Sequence, residues 1–71
     1  MNTQQQLHSI AKKLEGVASH ANILSINAAI EAAHLGNNGR ASHVIADEIH
    51  RLAEIAMEAS REIERELEGE R

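Results

Sequence analysis

Asn22 to Leu52 reads NILSINAAIEAAHLGNNGRASHVIADEIHRL, two apolar helical patterns separated by the break Gly36-Asn37-Asn38-Gly39. Glycine and asparagine are the residues that interrupt helices and turn a chain. A connection this short joins neighbouring antiparallel helices. The stretch therefore predicts an all-α chain folded as an antiparallel helical hairpin, with helix 1 over about residues 3–35, a turn at 36–39 and helix 2 over about 40–68. Gly36 is expected to end the first helix in the left-handed conformation. The turn has no lysine or Ser/Thr placed as in a phosphate-binding loop, which excludes a nucleotide site there.

Outward from the turn, the first arm carries apolar residues at Leu7, Ile10, Leu14, Val17, Ala21, Leu24, Ala28 and Leu35, in heptad-like steps interrupted only by Glu31. Gly16 lies inside this run and costs about 1 kcal/mol relative to alanine, but the pattern continues on both sides, so one helix is expected. Asn2 or Thr3 is placed to cap it, with glutamines following in the first turn. The return arm shows the same period at Ser42, Ile45, Ile49, Leu52, Ala56, Ala59 and Ile63. These two seams are expected to face each other. With the turn centred between Asn37 and Asn38, Ile30 would stand opposite Ile45 and Ile26 opposite Ile49. Each arm would extend roughly 45 to 50 Å at 1.5 Å per residue. The Glu/Arg-rich end from Arg61 reads as a solvated helical face that frays after Gly69.

The distal half of the first arm has a second apolar stripe, Ile23, Ile26, Ile30 and Ala33, while the proximal half has Ser9, Lys12, Lys13, Ser19 and His20 at that level. An apolar face confined to one end either widens the two-helix core or asks for a further contact near the turn. Glu31 must then face a partner, sit at an edge or meet Arg40 across the turn, because a buried unpaired carboxylate is costly.

Composition limits what such a chain can do. Its 71 residues contain no aromatic residue, proline or cysteine. One small domain of this size seldom supplies a sufficient core alone. The net charge of -4 is spread along both arms, so there is no basic stripe for nucleic acid. No apolar run approaches the roughly 18 to 20 residues of a membrane span, and the N-terminus lacks the pattern of a leader. A soluble, unexported chain is expected. His8, His20, His34, His43 and His50 include no i, i+4 pair, so no metal site is expected, although His34 and His43 could approach across the turn. No nucleophile with its base and no cofactor loop can be assembled, so an enzyme is not expected.

AsnAlaAlaIleGluAlaAla at Asn27 to Ala33, a short Gly-containing turn, Gly39-Arg40 and then ValIleAlaAspGluIle closely resemble the signalling tip of bacterial methyl-accepting chemotaxis receptors. The resemblance is specific over Asn22 to Glu54 and generic in the flanking heptads. It implies a cytoplasmic hairpin that forms a homodimer, a four-helix coiled-coil bundle, and then a trimer of dimers near the tip. It also implies contact with a histidine kinase and a coupling protein, with control exerted through bundle packing and no cofactor. The family's trimer contacts fall on Ile23, Ile26, Asn27, Glu31, His34 and Glu48, and its coupling-protein and kinase contacts around Ile23, Ile30, Arg40 and Val44. Asn27 is a candidate buried amide that fixes register, whereas Asn22 has both a buried and a surface reading.

The turn departs from that pattern. The family usually has glutamate where Asn37 stands, glycine at Ala41, phenylalanine at Ser42, a small residue at His43 and arginine at His34. Sensor, membrane spans and methylation helices have no counterpart in these residues. Two functions are therefore expected as alternatives: a chemotaxis signal-transduction module that contacts the kinase complex, or a receptor-like adaptor that oligomerises without kinase control. The apolar seams alone are compatible with a dimer, a trimer of hairpins or a domain-swapped pair.

Overall fold

The structure, a computed structural model, describes residues 2–69. They form α1 (Thr3–Leu35), a 3-10 turn (Gly36–Gly39) and α2 (Arg40–Gly69). The molecule measures 53 × 18 × 11 Å. Its long axis accommodates one helix of this length at 1.5 Å per residue, about 50 Å, but not two end to end. The helices therefore lie side by side, and three contacts give their sense. His8 Nδ1 lies 2.8 Å from Glu64 Oε1, Ser60 Oγ donates to the Ala11 carbonyl at 2.9 Å, and His50 Nδ1 donates to Asn22 Oδ1 at 2.9 Å. As one number rises the other falls, so α1 and α2 are antiparallel.

The first helix begins at a capping box. The Asn2 side chain accepts from the Gln5 backbone N–H at 2.7 Å, and Gln5 Oε1 accepts from the Asn2 N–H at 3.3 Å. Two of the amides that a helix start leaves without partners are thereby satisfied, which stabilises it by about 1 kcal/mol. No proline follows, and the chain stays helical until Gly36. There φ is 60° and ψ is -128°. The positive φ agrees with the expectation for this glycine, but the left-handed helical conformation does not. The torsions are those that open a type II′ turn, a region open to glycine. The physical reason is that the chain does not leave α1 through a loop but enters the return helix at once, through the 3-10 residues.

The buried residues form a single series. They are Ala11, Ala18, Ser25 and Ala32 in α1, Gly39 in the turn, and Ala46, Ala53, Ser60 and Leu67 in α2. Each lies seven residues after the last, and the step is unbroken through the reversal itself. Facing pairs run Ala32 with Gly39, Ser25 with Ala46, Ala18 with Ala53 and Ala11 with Ser60, so level residues sum to 71. The expected pairing of Ile30 with Ile45 and Ile26 with Ile49 is thus displaced by one helical turn. The cause is the position of the reversal, at Leu35–Gly36 and not between the asparagines. Gly39 already belongs to the return arm, with its backbone against that of Ala32.

The inner line also differs from the expected seam. Leu7, Leu14, Ala21 and Ala28, with Ser42, Ile49, Ala56 and Ile63, are half-buried beside the small residues. Ile10, Val17, Leu24, Leu35, Ile45 and Leu52 remain exposed. Size explains this. Two helix backbones approach closely only where alanine, serine and glycine meet, and the bulkier members of the seam are then displaced to the side. The chain-end fraying expected after Gly69 lies outside the described residues.

Candidate functional site

The two flanks of the helix pair differ in chemistry. Three residues before a buried position stand His8, Glu15 and Asn22 in α1, with His50 and Glu64 in α2. These bridge the helices: His8 to Glu64, Asn22 to His50, and Glu15 to Ser60 at 3.5 Å. Since these positions meet on one flank, the positions immediately before each buried residue meet on the other. There stand Ile10, Val17, Leu24 and Glu31 in α1, with Ile45, Leu52 and Ala59 in α2. Val17 is 59% exposed and Leu52 62%. The half-buried Leu14, Ala21, Ala28, Ile49, Ala56 and Ile63 continue this flank inward. The result is an apolar face along most of the rod, backed by an interior of alanine and serine.

The stripe Ile23, Ile26 and Ile30 lies outside this face, on the distal part of α1, and is exposed, as is Val44 near the start of α2. Asn27, Glu31, His34, Arg40 and Glu48 are exposed as well. The stripe therefore does not widen the core between α1 and α2. Of the readings open for Glu31, its position is an edge, in line with Ile10, Val17 and Leu24. Glu48 is held 3.3 Å from Arg51, one turn along α2. Arg40 lines a shallow hollow of about 400 Å³ at the tip with Ala29, Ala32, Ala33, Gly36, Asn37, Gly39 and His43. His43 stands level with Ala28 in the observed register, not beside His34 as its expected level partner near Ala32 would have allowed.

Other ionisable groups pair along α2. His43 and His50 lie 4.0 Å from Asp47 and Glu54, one turn on. The Arg65 guanidinium bonds Glu58 at 2.7 Å and, aided by Arg61, holds that carboxyl below its usual value; Glu58 in turn raises Arg65. Among the described residues no group of three His, Cys, Asp or Glu side chains is arranged to hold a metal ion. No described helix is long and apolar enough to cross a membrane.

Sequence reasoning missed the bridging residues His8, Glu64, Asn22 and His50 as a group. The signal that finds them is the seven-residue recurrence of small residues at Ala11, Ala18, Ser25 and Ala32. Once that line is taken as the interior, its polar neighbours on one side and apolar neighbours on the other follow. Asn22 falls between its two readings: it is half-buried, and its Oδ1 accepts from His50 Nδ1 across the helix pair.

Comparison with known proteins adds an independent line. The family model for the methyl-accepting chemotaxis protein (MCP) signalling domain matches residues 1–69. The chain is 44% identical over 59 residues to the biofilm dispersion protein BdlA of Pseudomonas aeruginosa, covering 83% of this chain and 14% of that protein. It is 39% identical over 66 residues to methyl-accepting chemotaxis protein I of Escherichia coli, covering 93% and 12%. Against the protein McpB of Bacillus subtilis the identity is 39% over 61 residues, covering 86% and 9%. The chain thus spans about a tenth of the length of these relatives. No solved structure matches it.

Proposed function

Because this chain belongs to the signalling-domain family of methyl-accepting chemotaxis proteins, we propose that it transmits a chemotaxis signal by helix association, doing no chemistry itself. The observation that carries this reading is the exposed apolar flank of Ile10, Val17, Leu24, Ile45 and Leu52. Its occupant is a second copy, whose identical flank closes a four-helix bundle. An alanine-rich interior contributes little burial for each helix pair. Each isoleucine, leucine or valine removed from water adds about 1.5 to 3 kcal/mol. Most of the stabilisation therefore comes from the association.

In this assembly the isoleucine stripe stays outside the bundle and supports the next contact. Ile23, Ile26, Asn27, Glu31, His34 and Glu48 would join dimers near the tip. Ile23, Ile30, Arg40 and Val44 would meet a histidine kinase and its coupling protein in the cytoplasm. A sedimentation-equilibrium series tests both layers. Leu52→Glu should leave a monomer, and Ile26→Glu should leave a dimer that grows no further. A chain that stays monomeric at high concentration would refute the reading.

One observation favours the adaptor alternative. Ser42 is half-buried at a position beside the inner line, and Asn37 is exposed in the turn. The tip thus lacks both the large apolar anchor and the carboxylate that the family usually carries at these positions. An adaptor would bind other helical bundles through the same flank without engaging the kinase. Capture of a purified chemotaxis kinase with its coupling protein, abolished by Ile23→Glu, would exclude this alternative.

A further inference from the structure

Asn38 is exposed in the turn and is followed by Gly39. Asn2, Asn22, Asn27 and Asn37 are followed by Thr3, Ile23, Ala28 and Asn38, whose side chains crowd the next backbone nitrogen. We infer that Asn38 is a self-modification site, deamidating at a rate set by opening of the tip. The step balances with water alone. The Gly39 nitrogen, giving its proton to a solvent base, attacks the Asn38 side-chain carbonyl carbon. A carbon–nitrogen bond forms, ammonia leaves, and a five-membered succinimide results. Water then opens either ring carbonyl, leaving aspartate or isoaspartate at position 38.

The fold gates this step. Both residues have 3-10 backbone geometry, and Gly39 is buried against the Ala32 backbone. Ring closure needs the Gly39 nitrogen turned toward the Asn38 side chain, so the reaction passes through a state in which the tip has opened locally. The product differs in charge and in length. From Ala32 to Ala46 there is no aspartate or glutamate, and the ionisable side chains are His34, Arg40 and His43. Deamidation puts a carboxylate into that stretch. Isoaspartate also adds a carbon to the main chain, just where Gly39 must keep its place on Ala32.

The inference does not depend on the identity of any partner, and peptide mapping tests it on the full chain. The chain is incubated at mildly alkaline pH and 37 °C, beside a peptide of residues 33–43 and an Asn38→Gln variant. The expected result is a gain of one mass unit at position 38, with isoaspartate among the products. Asn2, Asn22, Asn27 and Asn37 should stay unchanged, and the reaction should be slower than in the peptide. A tenfold slowing corresponds to about 1.4 kcal/mol of tip opening. An unreacted position 38 once the peptide has gone to completion, or the same mass gain in Asn38→Gln, would overturn the site. Equal rates in chain and peptide would overturn the gating.

Discussion

The backbone of Gly39 rests on the backbone of Ala32: a methyl group built at position 39 would overlap the Ala32 carbonyl oxygen and lie 2.7 Å from its carbon. Neither side of that contact is a flexible side chain that could move aside. Gly39→Ala should therefore cost about 1 to 3 kcal/mol, as other overpacked sites do. Thermal unfolding followed by circular dichroism reads the loss. An unchanged midpoint would mean that the helices are not in contact at this rung.

A similar cost follows for Ala18→Leu, by a different route. Ala18 is 3% exposed and faces Ala53, so a larger side chain must push the helices apart along their length. The expected destabilisation is about 1 to 3 kcal/mol. By contrast Ile10→Ala, on the exposed flank, should leave the unassociated chain nearly unchanged. Comparing the two variants by denaturant unfolding at low concentration checks the assignment of inside and outside.

At high concentration the ranking should reverse for the flank. Leu52→Ala, harmless to the separate chain, should weaken the associated form by about 2 to 5 kcal/mol for each buried copy, the range for deleting a packed leucine. Val17→Ala should act in the same direction. Concentration-dependent melting temperatures provide the measurement, since only a coupled association makes them shift. Loss of the shift in Ile26→Ala instead of Leu52→Ala would place the primary contact on the isoleucine stripe.

The pair Glu58 and Arg65 yields a pH prediction. Arg65 lowers the Glu58 pKa from 4.5 in the folded chain. The stabilisation it brings is therefore present above the unfolded value and is lost as pH falls through the lower, folded one. Both groups lie on the surface, so the effect is small and screened by salt. Carboxyl titration by NMR should show the Glu58 midpoint rising in Arg65→Gln. An unmoved midpoint would mean that the guanidinium does not hold the carboxylate in solution.

Much of the local structure could be read from residue type, and the packing could not. The 3-10 segment Gly36–Gly39 lies at the break marked by its glycines and asparagines, and the helices extend as far as an absence of proline permits. The error lay in weighing apolar residues by size. Leucine, isoleucine and valine at three- and four-residue steps look like a core, but Ile10, Val17, Leu24, Ile45 and Leu52 are exposed. The inner positions went unread because their defining property is the near-absence of a side chain. Register failed for a related reason: the backbone contact of Ala32 and Gly39 decides it, and it is carried by the seven-residue recurrence of small residues, not by the apolar seam. For the candidate site, the asymmetry that singled out Ile23, Ile26 and Ile30 is legible in sequence, and their exposure is a property of the fold. Contacts such as Asn22 with His50 require the register first.

The seven-residue step that continues from Ala32 to Gly39 makes the tip a phase-locked element. Surface turns ordinarily accept insertions and deletions better than the elements they join. Here one residue added between Ala32 and Gly39 would rotate the whole return helix by about 100° relative to its partner. Ala46, Ala53 and Ser60 would leave the interior together, and the polar and apolar flanks would exchange neighbours along the rod. The four-residue connection between the two described helices is thus the least length-tolerant part of the rod.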